Sequence, residues 1–205
     1  MLNIDPYLKS LKKNKIVVIP DFLNEEEINS VRSEYEAILE DRAKPYGFGR
    51  AVRLYGIPDD LVAIKEIFNS KEMLVAARHF YGRTPFKFNT AVFLSHEFGI
   101  PGDAPNGYWH SDRDHAFKFM IYLKDVGPHD GPFSYIPNSA NIGAKLRLSR
   151  KHQLRDHPDL LKLVNKEETV LAKAGTLMIF STDVIHKGGR INGGERMVIR
   201  GHCRP

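Results

Sequence analysis

One cysteine, Cys203, and one tryptophan, Trp109, stand in a chain of 205 residues. A single thiol cannot build an internal disulfide, and a zinc site made of cysteines is excluded with it. No apolar run approaches the ~20 residues needed to span a bilayer, so no membrane partner is expected. The opening MLNIDPYLKSLKKNK has no apolar stretch followed by a small-residue cleavage site. It does not read as a secretory signal, and a cytoplasmic location is expected. Charge of one sign is not in great excess either. The net charge of +5 is too modest to point to nucleic acid by itself. Its one concentration, AKLRLSRKHQLR from Ala144 to Arg155, contains no acid and no aromatic residue. Without interleaved rings there is no stacking platform for a single strand, so no nucleic-acid partner is expected. A solvated helix face explains the run; the sharper reading is a basic lid over a site for an anionic substrate.

What is present suits one globular domain over residues 1–205, with twelve Phe and eight Tyr to fill a core. KIVVIP reads as a short strand closed by proline. In DFLNEEEINSVRSEYEAILED, Asn24 can cap a helix, Glu27 can reach back to it, and Leu23 and Ile28 stand where a hydrophobic staple would. Ile28, Val31, Tyr35, Ile38 and Leu39 form its apolar stripe. A second helical region runs from about Asp59 to Tyr81, with Ser70 as a fresh cap within it. After Gly82 the pattern changes to short strands, in PFKFNTAVFLSHEF, FKFMIYLKDV, GPFSYIP, ETVLAKAG, GTLMIFS, VIHKG and RMVIRGHC. A helical interruption lies between Asn141 and Asn165. Helices first and strands after predict a mainly β fold, a sandwich or barrel buttressed by N-terminal helices.

The chemistry concentrates in YWHSDRDHAFKFMIYLKDV. His110 and Asp112 are two apart, so on extended backbone both leave one face and can meet one divalent ion. His186, in GTLMIFSTDVIHKGGR, is the best third ligand. Two histidines and one carboxylate leave the remaining positions of an ion open, which suits non-haem Fe(II). His-X-Asp alone is a weak signal, and His186 alone reads equally as a core histidine. Asp114 and His115 are the rivals to this assignment. Arg196 follows ten residues after His186 on the last strand. A buried guanidinium needs a carboxylate, which a dicarboxylate cosubstrate or an internal ion pair would supply.

With these motifs in order, the chain resembles a small member of the phytanoyl-CoA dioxygenase family of Fe(II)/2-oxoglutarate-dependent oxygenases. The likeness runs through KIVVIPDFLNEEEINSVRSEYEAI, HSD, IYLKDVGPHDGPFSYIPNSA and GTLMIFSTDVIHKGGRINGGERMVIR. It implies a double-stranded β-helix, a cupin-like jelly roll, with His110, Asp112 and His186 on iron and Arg196 on the 5-carboxylate of 2-oxoglutarate. It also implies hydroxylation of a small-molecule substrate by O2, with release of succinate and CO2.

Two departures stand out. The family turn that usually ends in Ser-His here reads Pro137, Asn138, Ser139, Ala140. The lysine that many members carry on the strand before His-X-Asp is also missing, leaving Asn89, Ser95 or His96 as substitutes in cosubstrate binding. Lys118, Met120 and Tyr122 share a face, and the Tyr122 hydroxyl either reaches the cosubstrate or is satisfied in the core. Trp109 walls a pocket or packs. A cupin-like metalloprotein that does not use 2-oxoglutarate and a non-catalytic binding module are the alternatives. Oligomeric state is not legible.

Overall fold

The computed structural model describes residues 2–46, 49–82, 91–98, 107–150, 154 and 160–203. The chain opens with a helix that the sequence reading did not name. α1 (Asp5–Asn14) lacks a side-chain cap at Ile4, but Pro6 stands in its first turn and Tyr7, Leu8 and Leu11 turn toward the core. It ends at Lys15, with φ 60°, and leads into β1 (Ile16–Ile19).

α2 (Glu25–Arg42) starts as expected. The Asn24 side chain accepts from the Glu27 N–H at 2.9 Å, and the Glu27 carboxylate accepts from the Asn24 N–H at 2.9 Å. All five residues of its stripe are buried. β2 (Lys44–Tyr46) and β3 (Gly49–Tyr55) follow as a hairpin that was not anticipated, because GRAVRLY mixes charge with few apolar positions. The second helical region is two helices, α3 (Val62–Phe68) and α4 (Lys71–Tyr81), parted where Ser70 caps the second by accepting from the Met73 N–H.

The strands then follow: β4 (Ala91–Phe98), β5 (Phe117–Tyr122) and β6 (Phe133–Tyr135). α5 (Ala140–Leu148) and α6 (Leu160–Val164) fill the expected helical interruption. β7 (Glu168–Val170), β8 (Leu177–Ser181), β9 (His186–Gly188) and β10 (Glu195–Cys203) complete the chain.

Every pairing is antiparallel. A seven-stranded sheet has the order β1-β8-β5-β10-β4-β3-β2, and a three-stranded sheet the order β7-β6-β9. The architecture is a double-stranded β-helix with N-terminal helices against its larger sheet.

Alternation along β5 explains how the layers divide. Phe117, Phe119 and Ile121 face α2, α3 and α4 in the larger core, with Tyr35, Phe68 and Met73. Met120 and Tyr122 face the opposite way, into a second core between the sheets with Phe133, Met178 and Phe180. This is why a strand of six buried residues can still present Lys118 to an interior cleft. No helix among the described residues is long and apolar enough to cross a membrane.

Candidate metal centre

The two histidines meet through the backbone before their rings do. The His110 N–H donates to the His186 carbonyl at 3.0 Å, and the His186 N–H donates back at 2.9 Å. Residues that exchange both hydrogen bonds stand directly opposite, with side chains on the same face. The ring centroids are accordingly 4.4 Å apart. Each Nδ1 lies against a carbonyl oxygen, His110 on Tyr108 at 2.8 Å and His186 on Val184 at 2.7 Å. A carbonyl only accepts, so each Nδ1 carries the proton and each Nε2 presents a lone pair.

Asp112 completes the set. Its N–H is held by the Thr182 carbonyl at 2.9 Å. Its Oδ1 lies 3.6 Å from Nε2 of His110 and 3.7 Å from Nε2 of His186. One ligand atom from each residue falls within 4.8 Å of the others, and no other such group occurs among the described residues. The rivals stand outside this group: His115 Nδ1 pairs with Asp183 at 2.7 Å, and Asp114 is not among the residues that converge.

The electrostatics suit a cation. Burial works against ionisation of Asp112, but Lys118, with Nζ 2.7 Å from Oδ2, and the two imidazoles outweigh it and hold the carboxyl well below the usual range. Burial, and then His110, push His186 well below the ordinary histidine value. It is therefore a neutral donor at neutral pH, as a metal ligand must be.

The cleft next to these groups is lined on its apolar side by Met120, Phe133, Phe180 and Val198. Its polar side adds Glu97 and Arg200 to Lys118 and Arg196. Arg196 is buried, with Nη2 3.0 Å from Glu97 Oε2 and Nη1 on the Gly131 carbonyl. Glu97 also accepts from the Ser95 hydroxyl at 3.1 Å. The sequence reading did not name Glu97, although a buried arginine calls for an acid and alternation along β4 puts Glu97 on the same face as Ser95. The Nε of Arg196 is buried and has no partner among the described residues.

Tyr122 takes the other of its two options. Its hydroxyl accepts from the Phe133 N–H at 2.8 Å and donates to the Val170 carbonyl at 3.3 Å, joining β5 to the smaller sheet. Burial pushes that hydroxyl up to about 12. Asn89 lies outside the described residues. Trp109 packs on the outer face with Ile136, Leu146, Leu154 and Ile185, with the Lys187 ammonium 4.3 Å from its ring centre.

α5 is seated on the turn that precedes His186. A Cβ on Gly143 would lie 1.9 Å from the Asp183 carbonyl oxygen, so only glycine allows this approach. Ser139 accepts from the Ile185 N–H at 2.8 Å, and the Ser111 hydroxyl donates to the Gly143 carbonyl at 3.1 Å. Arg147, part of the basic run, is spent here: its Nε donates to Asp183 at 2.7 Å. That residue belongs to an internal ion pair rather than to a lid.

Comparison with known proteins agrees with this geometry. Residues 13–198 match the family model described as phytanoyl-CoA dioxygenase (PhyH). The chain belongs to the phytanoyl-CoA dioxygenase family. The ectoine dioxygenase of Halomonas elongata is 23% identical over 212 residues, covering 87% of this chain and 63% of that protein. The chain thus spans less than two thirds of that relative. Among solved structures, the epimerase SnoN in complex with Fe3+, alpha-ketoglutarate (2-oxoglutarate) and nogalamycin RO aligns with TM-score 0.74 at 14% identity, covering 98% of this chain and 86% of that one. EctD from S. alaskensis with bound Fe aligns with TM-score 0.74 at 18% identity, covering 97% and 75%. HygX from Streptomyces hygroscopicus with nickel, 2-oxoglutarate and hygromycin B aligns with TM-score 0.69 at 16% identity, covering 98% and 87%. At these identities the likeness shows the shared fold.

Proposed function

We propose that the chain is one catalytic domain, an Fe(II)- and 2-oxoglutarate-dependent dioxygenase that hydroxylates a small molecule using O2. The observation that carries the reading is the convergence of two imidazole Nε2 atoms on a single oxygen of Asp112. That donor set fits Fe(II): two neutral nitrogens and one ionised oxygen, with the other positions of the ion left for small ligands. The cleft also fits a dicarboxylate, since Arg196 keeps a buried N–H without a partner among the described residues.

Iron with 2-oxoglutarate would supply the oxidising chemistry, converting the cosubstrate to succinate and CO2 while one oxygen atom enters a substrate C–H bond. The chain's own part is to bind and orient. His110 and His186 present fixed lone pairs because the carbonyls of Tyr108 and Val184 hold their protons away. Lys118 grips Oδ2 of Asp112 and so turns Oδ1 toward the imidazoles. Arg196 would receive the far carboxylate, and Met120, Phe133, Phe180 and Val198 keep water out of the space between.

Anaerobic titration with Fe(II) and 2-oxoglutarate, followed by visible absorption, tests this without knowledge of the substrate. The expected result is a weak charge-transfer band that Asp112→Ala abolishes and that needs far more 2-oxoglutarate in Arg196→Ala. Iron binding without a band supports a second reading, a cupin-like metalloprotein that does not use 2-oxoglutarate. One observation favours that alternative: Glu97 already holds one side of Arg196.

A further inference from the structure

The one carboxylate of the metal centre is shared with a cation that the chain itself supplies. Asp112 turns Oδ1 toward the two imidazoles and Oδ2 toward Lys118, whose Nζ lies 2.7 Å away. The two oxygens are distinct, so an ion on Oδ1 and the ammonium on Oδ2 can be held at once. Lys118 cannot withdraw far. It stands on β5, opposite Phe180 of β8 on one side and His202 of β10 on the other. Its side chain is 9% exposed, and Nζ lies 5.6 Å from the centre of the Phe180 ring. That ring is in turn 5.0 Å from the ring of His186. Glu97, Arg196 and Arg200 also line the cleft, but the first two hold each other and Arg200 donates to the Ser95 hydroxyl. Lys118 is the cation that touches a metal ligand, and against the cost of burial it is the strongest influence keeping Asp112 ionised.

Two neutral imidazoles and one carboxylate give the ligand set a single negative charge, which the ammonium cancels. A dication is then held against its full charge, and a trication against one charge more. In a mostly buried cleft this extra charge is poorly screened, and the ammonium repels it from the far side of one carboxylate. A fixed positive neighbour therefore favours the lower oxidation state of a bound metal. We propose that Lys118, acting through Asp112, sets the oxidation state of the iron, favouring Fe(II) over Fe(III) in the resting protein. The step it opposes is loss of one electron from Fe(II), giving Fe(III), to an outside one-electron acceptor such as O2. This rests on the iron reading of the site and adds to it. Orientation of Oδ1 serves both oxidation states alike, whereas the charge of Lys118 separates them.

The test is an anaerobic redox titration of the Fe(II)-loaded protein without 2-oxoglutarate, using dissolved one-electron mediators. Each electron that leaves the iron reduces one mediator molecule, and electron paramagnetic resonance reads the Fe(III) formed. Lys118→Met keeps the apolar stem and removes the charge. Its affinity for Fe(III) relative to Fe(II) should rise at least about tenfold, a fall in potential of about 59 mV for a one-electron couple. Lys118→Arg keeps the charge, and its ratio should stay within about twofold of the wild type. A purely structural lysine would move the affinities for both oxidation states together and leave the potential where it was. An unchanged potential in Lys118→Met therefore overturns the proposal. So does a Lys118→Arg variant that shifts as far as Lys118→Met. Should Lys118→Met fold poorly because Asp112 is left alone, Lys118→Gln supplies an uncharged donor and should show the same fall; an unchanged potential there overturns the proposal equally. A wild-type protein that takes up no Fe(II) rejects the iron reading and this inference with it. Iron uptake with the expected shift, but no visible band on adding 2-oxoglutarate, rejects the cosubstrate reading and leaves the role of Lys118 standing.

Discussion

Glu97 and Arg196 form a buried ion pair, 3.0 Å apart, with less than a tenth of either side chain exposed. Arg196 is the residue proposed above to anchor a dicarboxylate cosubstrate, and its guanidinium already has an internal carboxylate. Removing one charge of such a pair strands the other, at a cost of about 3–5 kcal/mol. Glu97→Gln keeps the volume and removes the charge. Its melting temperature should fall, and 2-oxoglutarate should restore more of that loss than it adds to the wild type. Equal shifts in the two proteins, read by thermal unfolding with and without the dicarboxylate, would show that Glu97 does not compete for Arg196.

Tyr122 separates a structural from a cosubstrate role cleanly. Its hydroxyl satisfies the buried Phe133 N–H. Tyr122→Phe should therefore lower stability by ~1–3 kcal/mol in urea titration. The 2-oxoglutarate affinity should be unchanged, and a marked weakening would return Tyr122 to the cosubstrate site.

Gly143 fixes how closely α5 approaches the turn before His186. The added methyl of Gly143→Ala meets backbone rather than a movable side chain. A loss of ~1–3 kcal/mol is expected from such overpacking. The displaced turn carries the residue that orients His186, Val184, so Fe(II) affinity should fall as well. Calorimetric titration with Fe(II) reads that part, and intact affinity would mean that the turn yields without moving the histidine.

Cys203 gives a clean probe of opening. It is fully buried, and that burial pushes its thiol up to about 12. At pH 8 roughly one thiol in ten thousand would be ionised even if a reagent could reach it. Alkylation should be negligible in the native protein and stoichiometric in denaturant, since the chain has one cysteine. Rapid native labelling would show that the end of β10 opens on its own.

Local signals were legible and long-range pairs were not. The capping box of Asn24 and Glu27, the cap at Ser70 and the stripe of α2 are written within a few residues of one another, and the structure places each as read. His110, Asp112 and His186 were recognisable because a spacing and an order in the sequence survive without coordinates. Their mutual geometry was not, because it depends on the bridge that sets His110 opposite His186. Glu97 opposite Arg196 and Arg53 opposite Phe93 are likewise facts of register, which no single segment contains. α1 was passed over although Pro6 in its first turn and Tyr7, Leu8 and Leu11 at helical spacing were there to be read; its cap position, Ile4, offers no capping side chain.

The contact between Lys118 and Asp112 reaches beyond the geometry of the centre. A carboxylate in a mostly buried cleft is costly when nothing meets it, and many small metal-binding domains stay unfolded until a cation arrives. Here the counter-ion is encoded in the same chain, six residues downstream on β5. On the oxygenase reading proposed above, folding and metal loading are then separate events: the metal-free chain stays folded, and iron supplied afterwards loads a site that is already built.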